Sequence, residues 1–134
     1  MSQDRKKLTL GYLEAVAKHQ YDKVEGLLVP DLRFRGPVMA RSSAADFVGA
    51  LKSLAAIHVR NDVKRVFVDG DQVCVIYDFV TDTTAGALPA VEWLQFEGDR
   101  ISSIDLYYDR LPWQQTVMPA IAERGARQAA QPVA

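Results

Sequence analysis

A chain of 134 residues, 49% hydrophobic and 25% charged, has ordinary globular composition and is long enough to bury a core without disulfide staples. Its net charge of −1, with Lys and Arg scattered, leaves no basic footprint for nucleic acid or for an anionic membrane surface. No apolar run approaches the ~18 residues that span a bilayer, and "MSQDRKKLTL" has no apolar leader core, so a cytoplasmic location is expected.

Residues 4 to 18 repeat Leu8, Tyr12, Leu13 and Val16 at helical spacing, which predicts a first helix with one apolar stripe. A second, short helix follows over "YDKVEGLL" and is stopped by Pro30. "DLRFRGPV" alternates as a short half-buried strand and ends at Gly36-Pro37. In "SSAADFVGALKSLAA" Ser43 precedes Asp46 by three residues, an N-cap pattern, and Phe47, Leu51 and Leu54 continue a third helix. From Ile57 the period changes to two. Strands are predicted over 57–69, 72–83, 89–97 and 100–109, joined by "VDGDQV", "DTTAGAL" and "FEGDRI". The Ala-rich tail 118–134 shows little apolar periodicity and is expected to fray or to cover a neighbour. Helices followed by a meander of long strands predict a single α+β domain over 1–134, with a core at about 5–113.

Three groups stand out chemically. Asp78 interrupts the apolar strand "VCVIYDFV", sharing a face with Cys74, Ile76 and Val80. Both faces of that strand are apolar, so an unpaired carboxylate there would be driven toward its neutral form, as acid or base work requires. The plainer alternatives are an ion pair with Arg33, Arg60 or Arg65, or an outward position at a subunit contact. Glu92 raises the same question in "LPAVEWLQF". A two-residue turn at Gly98-Asp99 sets it opposite Asp105, where like charges repel unless they share a proton. A bulge or longer turn shifts the register by one, setting Ile104, Leu106 and Tyr108 on its face. Tyr12, on the first helix stripe, is either core or a hydroxyl donor to a pocket.

Cys74 reads as a small buried hydrophobe, since no basic neighbour is visible to lower its pKa. His19 follows Lys18 at a helix end as a solvated residue. His58 alternates with Arg60, Asp62 and Lys64, a solvated pattern, though it could reach a pocket rim. Asp109 in "YYDR" is expected to fix the strand's end by hydrogen bonding. His19 and His58 lack ligand spacing, and no metal site or cofactor is expected.

The element order, with "FRGPV", "FEGDRI" and "ISSIDLYYD", resembles the nuclear transport factor 2-like superfamily, which holds SnoaL-like polyketide cyclases, ketosteroid isomerase and limonene epoxide hydrolase. The resemblance implies a cone-shaped, curved antiparallel half-barrel with three helices of the N-terminal half closing an apolar pocket, and a homodimer formed through the outer sheet face. Matched to ketosteroid isomerase, Tyr12 and Glu92 take the positions of its oxyanion-hole tyrosine and neutral acid, while its aspartate base falls at Gly36. Matched to limonene epoxide hydrolase, Asp78 takes one aspartate, while the arginine and second aspartate fall at Ile76 and Leu106. The isomerase match also favours the shifted register, with Asp105 turned from the cavity.

The resemblance therefore implies Asp78, Glu92 and Tyr12 as candidate catalytic groups. Phe34, Val38, Phe47, Leu51 and Leu54 are candidate ligand contacts from the first half of the chain. Leu94, Leu106, Tyr108 and Trp113 are the candidates from the second half. The function expected is binding of a small hydrophobic molecule in a central cavity, with isomerase, cyclase, dehydratase or hydrolase chemistry through carboxylates. The alternative is a non-catalytic binding or accessory protein of the same fold.

Overall fold

In a computed structural model the described residues are 4–130. Helix α1 (Arg5–Ala17) is capped by Asp4, whose side chain accepts from the Lys6 backbone N–H at 2.9 Å. Its stripe is buried at Tyr12, Leu13 and Val16, and His19 adopts a left-handed φ of 60° where the chain turns into α2 (Tyr21–Gly26). Helix α3 (Ala44–Leu54) begins at Ser43, whose hydroxyl accepts from the Asp46 N–H at 3.1 Å, and buries Phe47, Val48 and Leu51. These caps satisfy amide groups that the first turn of a helix leaves without partners.

Six strands form one curved sheet in the order β2-β1-β6-β5-β4-β3. They are β1 (Leu28–Arg35), β2 (Ala40–Arg41), β3 (His58–Asp69), β4 (Gln72–Thr81), β5 (Ala87–Glu97) and β6 (Arg100–Tyr108). Gly70 and Gly98 take φ values of 60° and 63° at the first positions of two-residue hairpin loops, a conformation that favours glycine. Two details depart from the expected meander. The strand begins at Leu28, where the second helix was expected to continue, and β1 runs parallel to β6. The register between these two strands slips between Leu28 and Arg33. Pro30, with no N–H to give a ladder, falls inside that slip.

The β5–β6 register is the shifted one: Glu92 faces Leu106, Trp93 faces Asp105, and the irregularity lies beside Gln95 and Phe96. Ser102 has no paired partner there and is the bulged residue. The turn is nonetheless a two-residue one, so the bulge alone moves Asp105 off the face that carries Glu92. Asp105 instead meets Arg35 of the parallel strand at 3.4 Å.

The tail differs most from expectation. Asp109 accepts from the Leu111 N–H at 3.0 Å and caps α4 (Arg110–Pro112), which passes through a π turn, Trp113–Val117, into α5 (Met118–Ala130). The π turn ends two residues before Pro119, which cannot donate to the carbonyl one turn back, so the wider turn relieves the site that proline would otherwise kink. Trp113 and Val117 are buried with Ile57 and Leu88, and Ile121 packs against them. The expected fraying is thus replaced by helix as far as Ala130, and the last four residues of the tail lie outside the described residues. No helix among the described residues is long and apolar enough to cross a membrane.

Candidate functional site

Between the concave face of the sheet and the helices lies a cavity of about 80 Å³. Pockets for small ligands commonly measure roughly 300–1,000 Å³, so this one suits a compact molecule. Strand β5 turns Leu88, Ala90, Glu92, Leu94 and Phe96 inward, all buried, and Glu92 is the one polar residue in that series. On β4 the inward residues include Val73, Val75, Tyr77 and Phe79.

Val75 pairs with Glu92 and Tyr77 with Ala90, so Tyr77 is the diagonal neighbour of Glu92 on the same face and within reach of its carboxyl. The Tyr77 hydroxyl donates to Glu92 Oε2 in a very short hydrogen bond. Tyr12, lowered from α1, donates to Glu92 Oε1 at 3.1 Å. Helix α1, β4 and β5 thus each supply one member of a buried Tyr–Glu–Tyr cluster.

Burial pushes the Glu92 carboxyl above its ordinary value, against the two tyrosine hydrogen bonds, which favour the anion and pull the other way. Burial outweighs them because Glu92 is the only charged residue among the described cavity-lining residues, and no cation there supports the anion. Both phenols are held well above their ordinary value, by burial first and by Glu92 second, so they stay protonated. When Glu92 is protonated it can donate to one tyrosine oxygen, which frees a phenol proton for another acceptor. The cluster can therefore offer a hydrogen bond to a ligand oxygen without a charge being buried.

Phe34, Phe47, Leu51, Leu54, Leu106, Tyr108 and Trp113 also lie in the cavity wall, as do Tyr12 and Glu92. Three of the expected site residues do not. Asp78 is on the opposite, outer face, across from Asp62, with Lys64 at 3.1 Å from its Oδ1. That contact is an ion pair without hydrogen-bond geometry, since Asp78 Oδ1 has no hydrogen-bond partner. The register of β3 slips between Val63 and Arg65, and Lys64 is the residue passed over; the irregularity brings it, in place of the expected arginines, to Asp78. Val38 is exposed in the turn after Pro37, and Met39 occupies the wall in its place. Leu94 is fully buried but packed into the core, away from the cavity.

Tyr77, Asn61 and Phe79 are among the wall residues that sequence reasoning missed. Tyr77 and Phe79 alternate with Asp78, so assigning Asp78 to the outer face would have found them. His58 is buried and stacks on Phe79 with ring centroids 3.9 Å apart. Its Nε2 bonds Asn61 Oδ1 at 2.8 Å, and Asn61 Nδ2 donates to the Leu13 carbonyl at 3.0 Å, tying β3 to α1. Desolvation lowers the His58 pKa. The solvated pattern expected for His58 fails because the register slips between His58 and Arg60 and reverses the alternation. Cys74 is partly buried on the outer face. No group of three His, Cys, Asp or Glu side chains among the described residues is arranged to hold a metal ion.

Comparison with known proteins places this geometry in context. Residues 10–104 match the family model described as a SnoaL-like domain. An NTF2-like protein of unknown function from Cytophaga hutchinsonii superposes with a TM-score of 0.76 at 20% identity, covering 86% of this chain and 98% of that one. A protein with a ketosteroid isomerase-like fold from Catenulispora acidiphila, solved in complex with trimethylamine, gives a TM-score of 0.68 at 15% identity, covering 76% and 85%. An LEH-like epoxide hydrolase from M. tuberculosis gives 0.69 at 14% identity, covering 81% and 84%. At such identities the likeness speaks for the fold alone. No curated protein matches the sequence.

Proposed function

The chain belongs to the SnoaL-like domain family, and we propose that within it this protein binds a compact, mostly apolar molecule through a single hydrogen-bonding oxygen, without acid–base turnover. The observation that carries this reading is the composition of the wall: one carboxylate, Glu92, committed to Tyr12 and Tyr77, among apolar side chains. Acid–base chemistry of the isomerase kind needs a second group to take the proton. Gly36 stands where the resemblance sets that base. A Cβ added there would come within 3.3 Å of the Phe34 ring, so even a small side chain makes a wall residue give by a few tenths of an ångström. The Catenulispora protein, solved in complex with trimethylamine, is a precedent for a protein of this fold holding a small molecule.

Calorimetric titration with phenol tests the proposal. Phenol binding to the wild type, weakened at least tenfold in Glu92→Leu, is the expected result; equal affinity in both removes the assignment of Glu92. One observation favours a catalytic second reading: a buried carboxyl with a raised pKa is a ready proton donor. Under that reading the wild type isomerises 3-cyclohexen-1-one to the conjugated ketone and Glu92→Gln does not. Under the binding reading both proteins are inert.

A homodimer through the outer face is part of the same proposal, with the cytoplasm as its location. Phe67, Trp93 and Tyr107 are 58%, 38% and 53% exposed on that face, apolar rings of the kind a subunit contact covers. Light scattering is expected to give a dimer mass for the wild type and a monomer mass for Trp93→Lys; a wild-type monomer contradicts it.

A further inference from the structure

The cavity is smaller than most ligand pockets, and one of its walls is built differently from the others. Tyr12, Tyr77, Glu92 and Phe34 stand on α1 and on the hydrogen-bonded sheet. Trp113 instead enters from the C-terminal helical segment, which shares no strand ladder with the body. Leu54, Phe79, Leu88, Tyr108 and Trp113 line the cavity and also belong to the cluster that seats this segment, through Val117 and Ile121. The same side chains therefore close the cavity and hold the helix in place.

Toward its far end the helix is tied to the body through Arg124. Arg124 Nη1 lies 2.5 Å from the Ala56 carbonyl and 2.5 Å from Asp82 Oδ1. Ala56 lies just after α3 and Asp82 just after β4, so Arg124 ties the helix to both of these connections. The ion pair is 33% and 53% exposed on its two sides, and a pair so open to water holds weakly. At the inner end the Trp113 indole N–H is buried without a partner, a donor that the closed position leaves unsatisfied. The π turn at Trp113–Val117 already departs from regular α-helical bonding where the segment enters the cluster.

We propose that the helical segment 113–130 is a lid, latched by Arg124 to Ala56 and Asp82, whose displacement withdraws Trp113 and opens the cavity to molecules larger than the closed space admits. This goes beyond the binding reading, since the opening is a property of the chain without ligand. Trp113 then sets the size of molecule accepted when the lid is closed, and Arg124 sets how often it opens.

Hydrogen exchange read by mass spectrometry tests the lid with no ligand present. In Arg124→Ala, peptides within 113–126 are expected to exchange at least about tenfold faster than in the wild type, while 88–96 of β5 is unchanged. Asp82→Asn, which keeps the carbonyl tie, is expected to give a smaller acceleration in the same peptides. In a Trp93→Phe background, acrylamide quenching of Trp113 should rise in step. The association rate of 2-naphthol, larger than phenol, should increase by a similar factor. Unchanged exchange over 113–126, or equal acceleration in β5, overturns the lid, the first because the latch restrains nothing and the second because the whole fold loosens. If exchange and quenching respond as expected while neither phenol nor naphthol binds any variant, the lid stands and the proposed ligand falls. If naphthol binds at one rate in every variant, the helix opens but does not gate the cavity, and the lid is overturned.

Discussion

Asp78 and Glu92 sit on neighbouring strands of one sheet, each interrupting an apolar run, and they meet opposite environments. Asp78 faces outward, beside Lys64 and opposite Asp62, in a row of partly exposed charges where Arg60 also pairs with Asp62 at 2.9 Å. Glu92 faces inward, with no cation beside it among the described wall residues and two phenols on its oxygens. The first carboxylate is settled by a countercharge; the second by two phenol hydrogen bonds, with burial raising its pKa. A polar residue in a strand thus becomes a site candidate through the face it points to, which its own identity does not reveal.

Ways to break this contrast run from large effects to small. Glu92→Leu leaves both tyrosine hydroxyls buried without their partner, and each unsatisfied group costs about 1–3 kcal/mol, so a loss of several kcal/mol in urea unfolding is expected. Tyr77→Phe removes a single donor to the same carboxyl and should cost about 1–3 kcal/mol by the same measurement.

The pH dependence sharpens the contrast further. A carboxyl whose folded pKa is raised binds more protons folded than unfolded, so its contribution is fully present below the ordinary 4.5 and is lost as pH rises through the folded value. Wild-type stability should therefore lose a component above pH 4.5 that Glu92→Gln does not lose. His58 acts with the opposite sign. Its pKa is lowered by desolvation, so stability falls as pH drops below 6.5 toward the folded value, and His58→Phe should remove that slope in thermal unfolding. Asp78→Asn gives the smallest effect, within about 1 kcal/mol and with phenol affinity unchanged, because its partner Lys64 is 54% exposed.

Much of the fold is legible in the sequence because periodicity is a local property. The Ser43 cap, the inward series Leu88 to Phe96 and the Gly98 turn can each be read from a few neighbouring residues. What fails to show is what breaks periodicity. Slips at Val59 and Lys64 reassign His58 and bring Lys64 to Asp78, and neither leaves a composition mark, whereas the bulge that turns Asp105 outward is one of the two registers the residues leave open and the one the isomerase resemblance favours. Strand β4 carries apolar residues on both faces, so alternation groups Asp78 with Ile76 but cannot say which group is inside; the resemblance to an epoxide hydrolase pointed the wrong way. In the C-terminal segment, Trp113, Val117 and Ile121 recur at helical spacing, a signal obscured by the surrounding alanines and by Pro112 and Pro119.

A neutral hydrogen bond from the cluster to a ligand oxygen requires that Glu92 keep its proton where an ordinary carboxylate has lost it. Infrared difference spectroscopy between wild type and Glu92→Gln, followed from pH 4 to pH 8, measures that proton directly. The expected result is a protonated-carboxyl C=O band that disappears with the substitution and persists above pH 4.5. A Glu92 carboxylate signal fully developed by pH 5 would contradict it, and with it the proposal that this cluster offers a neutral hydrogen bond to a ligand oxygen.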